Sequence, residues 1–144
     1  RLIHLSTLLF VIIALQMLLG TQVREAVDPY IKNNAGLDRS AWMTTIGWID
    51  HIHRSFTWLV IAAVAFFVYT VYKHNIHGFF RTLTYTNIVL IIAQTIFGIL
   101  LAYGGLPHVF QDLHLFSASL LICATFALVL LSRQQVTDQT STPG

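Results

Sequence analysis

TLTYTNIVLIIAQTIFGILLAYGGLPHVFQ, residues 82–111, runs without a single Asp, Glu, Lys or Arg. Residues 2–23, 55–72 and 113–132 do the same. Crossing the hydrocarbon of a bilayer takes roughly 20 residues of helix. The four stretches therefore predict transmembrane helices at about 3–20, 51–72, 83–103 and 112–132. The expected fold is an all-α membrane protein, a four-transmembrane-helix up-down bundle. It forms one domain over 1–132, with a long outer loop at 21–50, a short basic linker at 73–82 and a short linker at 104–111. The remainder, 133–144, is rich in Thr, Ser and Gln and reads as a disordered tail.

Composition agrees with this reading. Hydrophobic residues make up 56% of the chain and charged residues 10%, against about 25% in a typical soluble domain. The net charge is +2 and the eight Lys and Arg are scattered. No basic stripe exists for nucleic acid to follow, so nucleic acid is not an expected partner. Membrane lipids are. Cys123 is the only cysteine and lies in an apolar run, so no internal disulfide can form. The chain starts with Arg1, which reads as processing or as a piece of something longer. Its first apolar run is too long for a cleavable signal and lacks the small-residue site.

Basic residues are tied across the two faces: Arg1, Lys73, Arg81 and Arg133 on one, Arg24, Lys32, Arg39 and Arg54 on the other. The second face also holds Glu25, Asp28, Asp38, Asp50 and Asp112. The expected orientation places the N-terminus inside and 21–50 outside. Trp42, Trp48, Tyr103 and Phe110 then form an outer aromatic belt, and Tyr69, Tyr72, Phe79, Phe80 and Tyr85 an inner one.

Helix 1 contains Gln16-Met-Leu-Leu-Gly20 and helix 3 contains Gln94-Thr-Ile-Phe-Gly98. Both are Q-x-x-x-G near the outer half of an apolar helix. Helix 2 then opens with His53 and helix 4 with His114. The chain thus reads as two similar helical hairpins, the first with the longer outer loop.

Of the seven histidines, His4, His74, His77 and His108 read as interfacial or solvated. His53 and His114 open two helices that run the same way and so lie at similar depth. An ionisable residue inside a membrane is costly and points to function, and bundle cores are where facing helices build cofactor sites. Two neutral imidazoles at one depth match the axial ligands of a six-coordinate haem. The plain alternative is a pair of interfacial histidines bonded to headgroups. His51 lies two positions from His53, roughly 200° around the helix, so only one of them faces the core. Arg54 and Arg24 are candidates for haem propionates, or equally for lipid headgroups. Asp50 is one turn before His53. It reads as a proton carrier, as a partner that orients the imidazole, or as a negative charge favoured by the helix dipole. Gln16 and Gln94 read as interhelical hydrogen-bonding residues.

Gly20-Thr-Gln-Val-Arg24-Glu25, Ile52-His53-Arg54-Ser-Phe, and Gln94-x-x-x-Gly98 followed by His114 together resemble the haem A synthase family. The resemblance runs over nearly all of residues 5–132 and rests on the ordered set rather than on any one motif. It implies an enzyme of eight transmembrane helices in two four-helix halves, each with an outer histidine pair. Such an enzyme oxidises a methyl group of haem O to the formyl group of haem A for cytochrome oxidase. This chain resembles the C-terminal half, which implies a haem B held by His53 and His114. The implied partners are an N-terminal half or an identical second chain, the enzyme that supplies haem O, and cytochrome oxidase assembly. The implied location is a bacterial cell membrane or the mitochondrial inner membrane. Two departures stand out: the other half is absent from this sequence, and the outer loop lacks the cysteine pair of some members. Asp50 matches the place of a family carboxylate linked to catalysis, as Asp rather than Glu. Two further readings remain open, a transmembrane b-type cytochrome and a structural subunit without cofactor.

Overall fold

The structure is a computed structural model that describes residues 2–33, 46–103 and 108–141, with Ile31 and 135–141 described as backbone. It contains four helices: α1 (Leu2–Asn33), α2 (Trp48–Lys73), α3 (Phe79–Tyr103) and α4 (His108–Ser141). All four have the length and apolarity to span a bilayer, with mean hydropathy between 1.8 and 2.4 over the most apolar windows. The protein is an all-α four-helix membrane bundle. Each helix packs on its sequence neighbours and α1 closes the ring against α4. The α2–α3 pairing is the slightest of the four.

The bundle is inverted relative to a water-soluble one. Large apolar side chains such as Leu18, Trp58, Phe66, Val89 and Phe116 point outward. Ser6, Thr84, Asn87, Ser117, Thr125 and Ser132 are buried. In lipid the apolar face needs no burial, and helices associate instead through close packing and interhelical hydrogen bonds. Ser6 Oγ lies 2.9 Å from Ser132 Oγ between α1 and α4. Thr125 Oγ1 donates to Asn87 Oδ1 at 2.7 Å between α4 and α3.

The large buried apolar residues gather towards the α2–α3 turn. Leu9, Ile13, Val60, Val64, Phe67, Val71, Phe80, Ile91, Leu121 and Leu128 form one core. At the opposite end, where α2 and α4 begin, the inward positions carry glycine and histidine instead. The core therefore fixes the bundle at one end and leaves the other for the candidate site.

The turn itself is closed by the backbone. Asn75 takes a left-handed conformation (φ 50°). Ile76 N–H donates to Val71 O and Asn75 N–H to Tyr72 O, the crossed pair of a Schellman motif that caps α2. Gly78 (φ 75°) then supplies the carbonyl that receives the N–H groups of Arg81 and Thr82.

Several boundaries differ from the sequence expectation. α1 does not stop near residue 20 but continues to Asn33, through Pro29. Residues 21–28 contain no helix breaker, and Val27 on this extension is buried with Ile46 beside Ala26, Tyr30 and Ile49. Thr21–Glu25, expected in the outer loop, is thus helical. α4 continues helical to Ser141 where a disordered tail was expected. A helix already nucleated in the membrane adds residues without a new nucleation cost. α2, α3 and α4 each begin about one turn earlier than expected. Trp48 and Tyr103 are exposed as belt residues should be, as are Tyr69, Tyr72, Phe79 and Tyr85. Phe80 is instead buried and stacks on Phe67, with ring centroids 6.1 Å apart. Phe110 packs on Phe97 at 6.3 Å. Arg1, Asp38, Arg39 and Trp42 lie outside the described residues.

Candidate functional site

The two Q-x-x-x-G segments and the two histidines assemble into a duplicated arrangement. In the first hairpin, Gln16 Nε2 on α1 donates to the His53 carbonyl at 3.2 Å and to Thr57 Oγ1 at 2.8 Å on α2. In the second, Gln94 Nε2 on α3 donates to the His114 carbonyl at 2.6 Å and to Ser117 Oγ at 2.8 Å on α4. Each amide thus grips a histidine residue and the hydroxyl one turn further along the same helix. Rotation and depth of α2 and α4 are fixed at the positions that carry the imidazoles.

One turn beyond each glutamine, a glycine faces the imidazole. A Cβ on Gly20 would lie 3.2 Å from His53 Cε1, and one on Gly98 would lie 3.6 Å from His114 Cε1. The absence of a side chain lets the Cε1 edge of the ring approach the neighbouring helix. Both imidazoles are half-buried. His53 Nδ1 and His114 Nδ1 are both buried without a hydrogen-bond partner among the described residues. An unpaired buried polar atom costs about 1–3 kcal/mol. Gln16 Oε1 is a third such atom.

The structure separates the candidates of α2. His53 turns inward. His51 is exposed on the outer side of α2, beside Trp48, Ile52 and Ser55. Asp50 is buried and forms an ion pair with Arg54, Nη2 to Oδ2 at 2.9 Å. The Arg54 guanidinium also lies 5.9 Å from the Tyr103 ring centroid, tying α2 to the end of α3. Asp50 is thus engaged by Arg54 one turn on, at i+4. Arg24 is exposed one turn outward of Gly20 on α1. Thr57 and Ser117 belong to the arrangement and were not singled out in the sequence. The signal was present as a hydroxyl one turn after each histidine, but at +4 in one hairpin and +3 in the other. Cys123 is exposed on α4.

Removing Arg54 strands a buried carboxylate. Arg54→Gln is expected to lower stability in detergent by about 1–3 kcal/mol. The double variant with Asp50→Asn recovers most of that loss, as thermal unfolding of the three proteins would show.

Among the described residues no three His, Cys, Asp or Glu side chains meet in a metal-binding group. Among the described residues, the imidazoles turned inward at this end are those of His53 and His114. A macrocycle that brings its own in-plane nitrogens needs only those two. The two inward imidazoles and the glycines behind them fit a haem. Comparison with protein-family models, curated proteins and solved structures yields no match.

The glycines give a graded test. Gly98→Ala meets ordinary contact at 3.6 Å and keeps the helix-propensity advantage of alanine, up to about 1 kcal/mol. Gly20→Ala meets a tighter contact at 3.2 Å and must push the His53 ring aside. Haem titration should therefore show near-normal affinity for Gly98→Ala and a several-fold loss for Gly20→Ala.

Proposed function

We propose that this chain holds a b-type haem between His53 and His114. We further propose that it serves as a haem A synthase, or as its C-terminal half. The observation that carries the haem reading is the duplicated Gln–Gly–His arrangement, which turns two imidazoles inward at one end of the bundle. The synthase reading rests on the ordered sequence motifs that resemble that family. On this reading the complete enzyme oxidises a methyl group of haem O to the formyl group of haem A for cytochrome oxidase. Held by His53 and His114, such a haem would supply one-electron transfer.

The chain's own residues do the positioning. His53 and His114 would hold the haem from two helices. Gln16 and Gln94 hold those helices in register. Gly20 and Gly98 leave room for the rings. Arg54 and Arg24, on the same end, are the cations available to carboxylates at the membrane surface. Asp50 competes for Arg54. The missing half is supplied by an N-terminal unit or by a second identical chain, and the substrate by the haem O donor enzyme. The membrane is a bacterial cell membrane or the mitochondrial inner membrane, with the N-terminus of this segment inside.

The alternative is an ordinary b-type cytochrome. Carrying electrons across the bilayer calls for a second haem near the other face. The described histidines at that end, His4, His74 and His77, are all exposed. That favours the single-haem reading.

The test is to purify the full chain in detergent, extract its haem for chromatography and record reduced-minus-oxidised spectra. A low-spin b-type spectrum with haem O or haem A in the extract is the expected result for the synthase. Haem B alone supports haem binding and leaves the cofactor half or a cytochrome. A folded protein with no haem overturns both.

A further inference from the structure

We propose that the α2–α3 turn binds the phosphate of an anionic phospholipid headgroup. This inference does not depend on the haem reading, since it concerns the opposite end of the bundle.

The turn places Lys73, His74, His77 and Arg81 within a short segment whose backbone is fixed by the Asn75 and Gly78 conformations described above. Arg81 is held in a preformed cradle. Its Nε and Nη2 donate to Tyr85 Oη at 3.3 and 3.1 Å, and its Nη1 lies 3.5 Å from His77 Nδ1. The guanidinium carbon lies 5.7 Å from the Tyr72 ring centroid and 5.6 Å from that of Tyr85. Lys73 Nζ sits 5.8 Å from the Tyr69 ring centroid. Stacking on aromatic faces orients both cations and reduces the rotamer freedom that binding would otherwise have to freeze.

Among the described residues no carboxylate lies within ion-pair distance of Lys73 or Arg81. Glu25, Asp28, Asp50 and Asp112 belong to the opposite end of the bundle, and the side chain of Asp138, on the last turns of α4, lies outside those described. A guanidinium has five N–H donors, and three of Arg81's are directed at Tyr85 and His77. The remaining donors suit a phosphate, which Arg recognises with its planar fork.

Depth selects the source of that phosphate. Tyr69, Tyr72, Phe79 and Tyr85 are exposed around the turn, and exposed aromatic residues of this kind sit at headgroup level. A lipid phosphate is therefore already beside Arg81 and Lys73. Attraction to a net-negative headgroup is worth about fivefold in affinity for each basic residue near the surface. Two such residues give a preference of roughly 30-fold for an anionic over a zwitterionic lipid.

The test is native mass spectrometry of the delipidated full chain in detergent, titrated with phosphatidylglycerol, phosphatidylcholine or inorganic phosphate. The expected result is one tightly bound phosphatidylglycerol, preferred at least tenfold over phosphatidylcholine. Arg81→Gln should cut that preference about fivefold or more. Arg133→Gln, which removes one charge from α4 at the same end, should leave it nearly unchanged. Arg81→Lys covers the case in which Arg81→Gln fails to fold. It keeps the charge, loses the fork and should lose part of the preference. Equal losses for Arg81→Gln and Arg133→Gln would mean bulk charge rather than a site and would overturn the proposal. So would inorganic phosphate displacing the lipid at equal concentration, which would identify a free-phosphate site.

Discussion

His53→Ala and His114→Ala should each abolish the low-spin haem spectrum, reducing bound haem to below about a tenth of the wild-type level, while far-ultraviolet circular dichroism stays unchanged. The two parts of this expectation have separate causes. If both imidazoles hold the haem, neither histidine can replace the other. The fold needs neither. Each imidazole is half-buried and its Nδ1 has no hydrogen-bond partner among the described residues. Removing an unpaired buried polar atom also removes its desolvation cost, so the apoprotein should change in stability by no more than about 1 kcal/mol. His51→Ala is the control two residues away, and its exposed side chain should be replaceable without spectral loss. If His51→Ala lost the haem and His53→Ala kept it, the assignment of the site would be wrong.

The second large effect concerns the glutamines. Gln94→Leu should weaken haem binding by about 10–100-fold, the range typical of residues that orient a metal ligand without touching the metal. Gln16→Leu should act in the same direction but less, because its bond to the His53 carbonyl is longer, 3.2 Å against 2.6 Å for Gln94 and His114. The cost to the fold should be small. Interhelical hydrogen bonds in membranes average about 0.6 kcal/mol. Gln94→Glu distinguishes positioning from mere space-filling. It keeps the size but turns a donor into a carboxylate facing a carbonyl, so it should bind haem worse than Gln94→Leu. Wild-type affinity and an unchanged midpoint potential in Gln94→Glu would show that the amide does not position the ligand.

Hydropathy made the four spans legible, because residues such as 82–111 and 113–132 carry no charge at all. The same signal misplaced the ends. Arg24, Glu25, Asp28 and Lys32 mark where hydrocarbon stops, and a helix need not stop there. Val27 packing on Ile46 keeps α1 going. The paired Q-x-x-x-G segments and the two histidines were visible as a repeat because they recur in the same order. Their hydroxyl partners were not, since Thr57 and Ser117 occupy different offsets from their histidines. The pairing of Asp50 with Arg54 was hidden by reading Asp50 against His53, although the i+4 spacing to Arg54 stood in the sequence.

Both glutamine bonds stay within one hairpin: Gln16 reaches Thr57, and Gln94 reaches Ser117. During synthesis, then, the first clamp is complete once α2 has entered the membrane, before α3 exists. The second needs only α3 and α4. Each hairpin can be proofread by its own polar contact while it is still alone in lipid, and assembly of the bundle becomes the docking of two units whose histidines are already aimed.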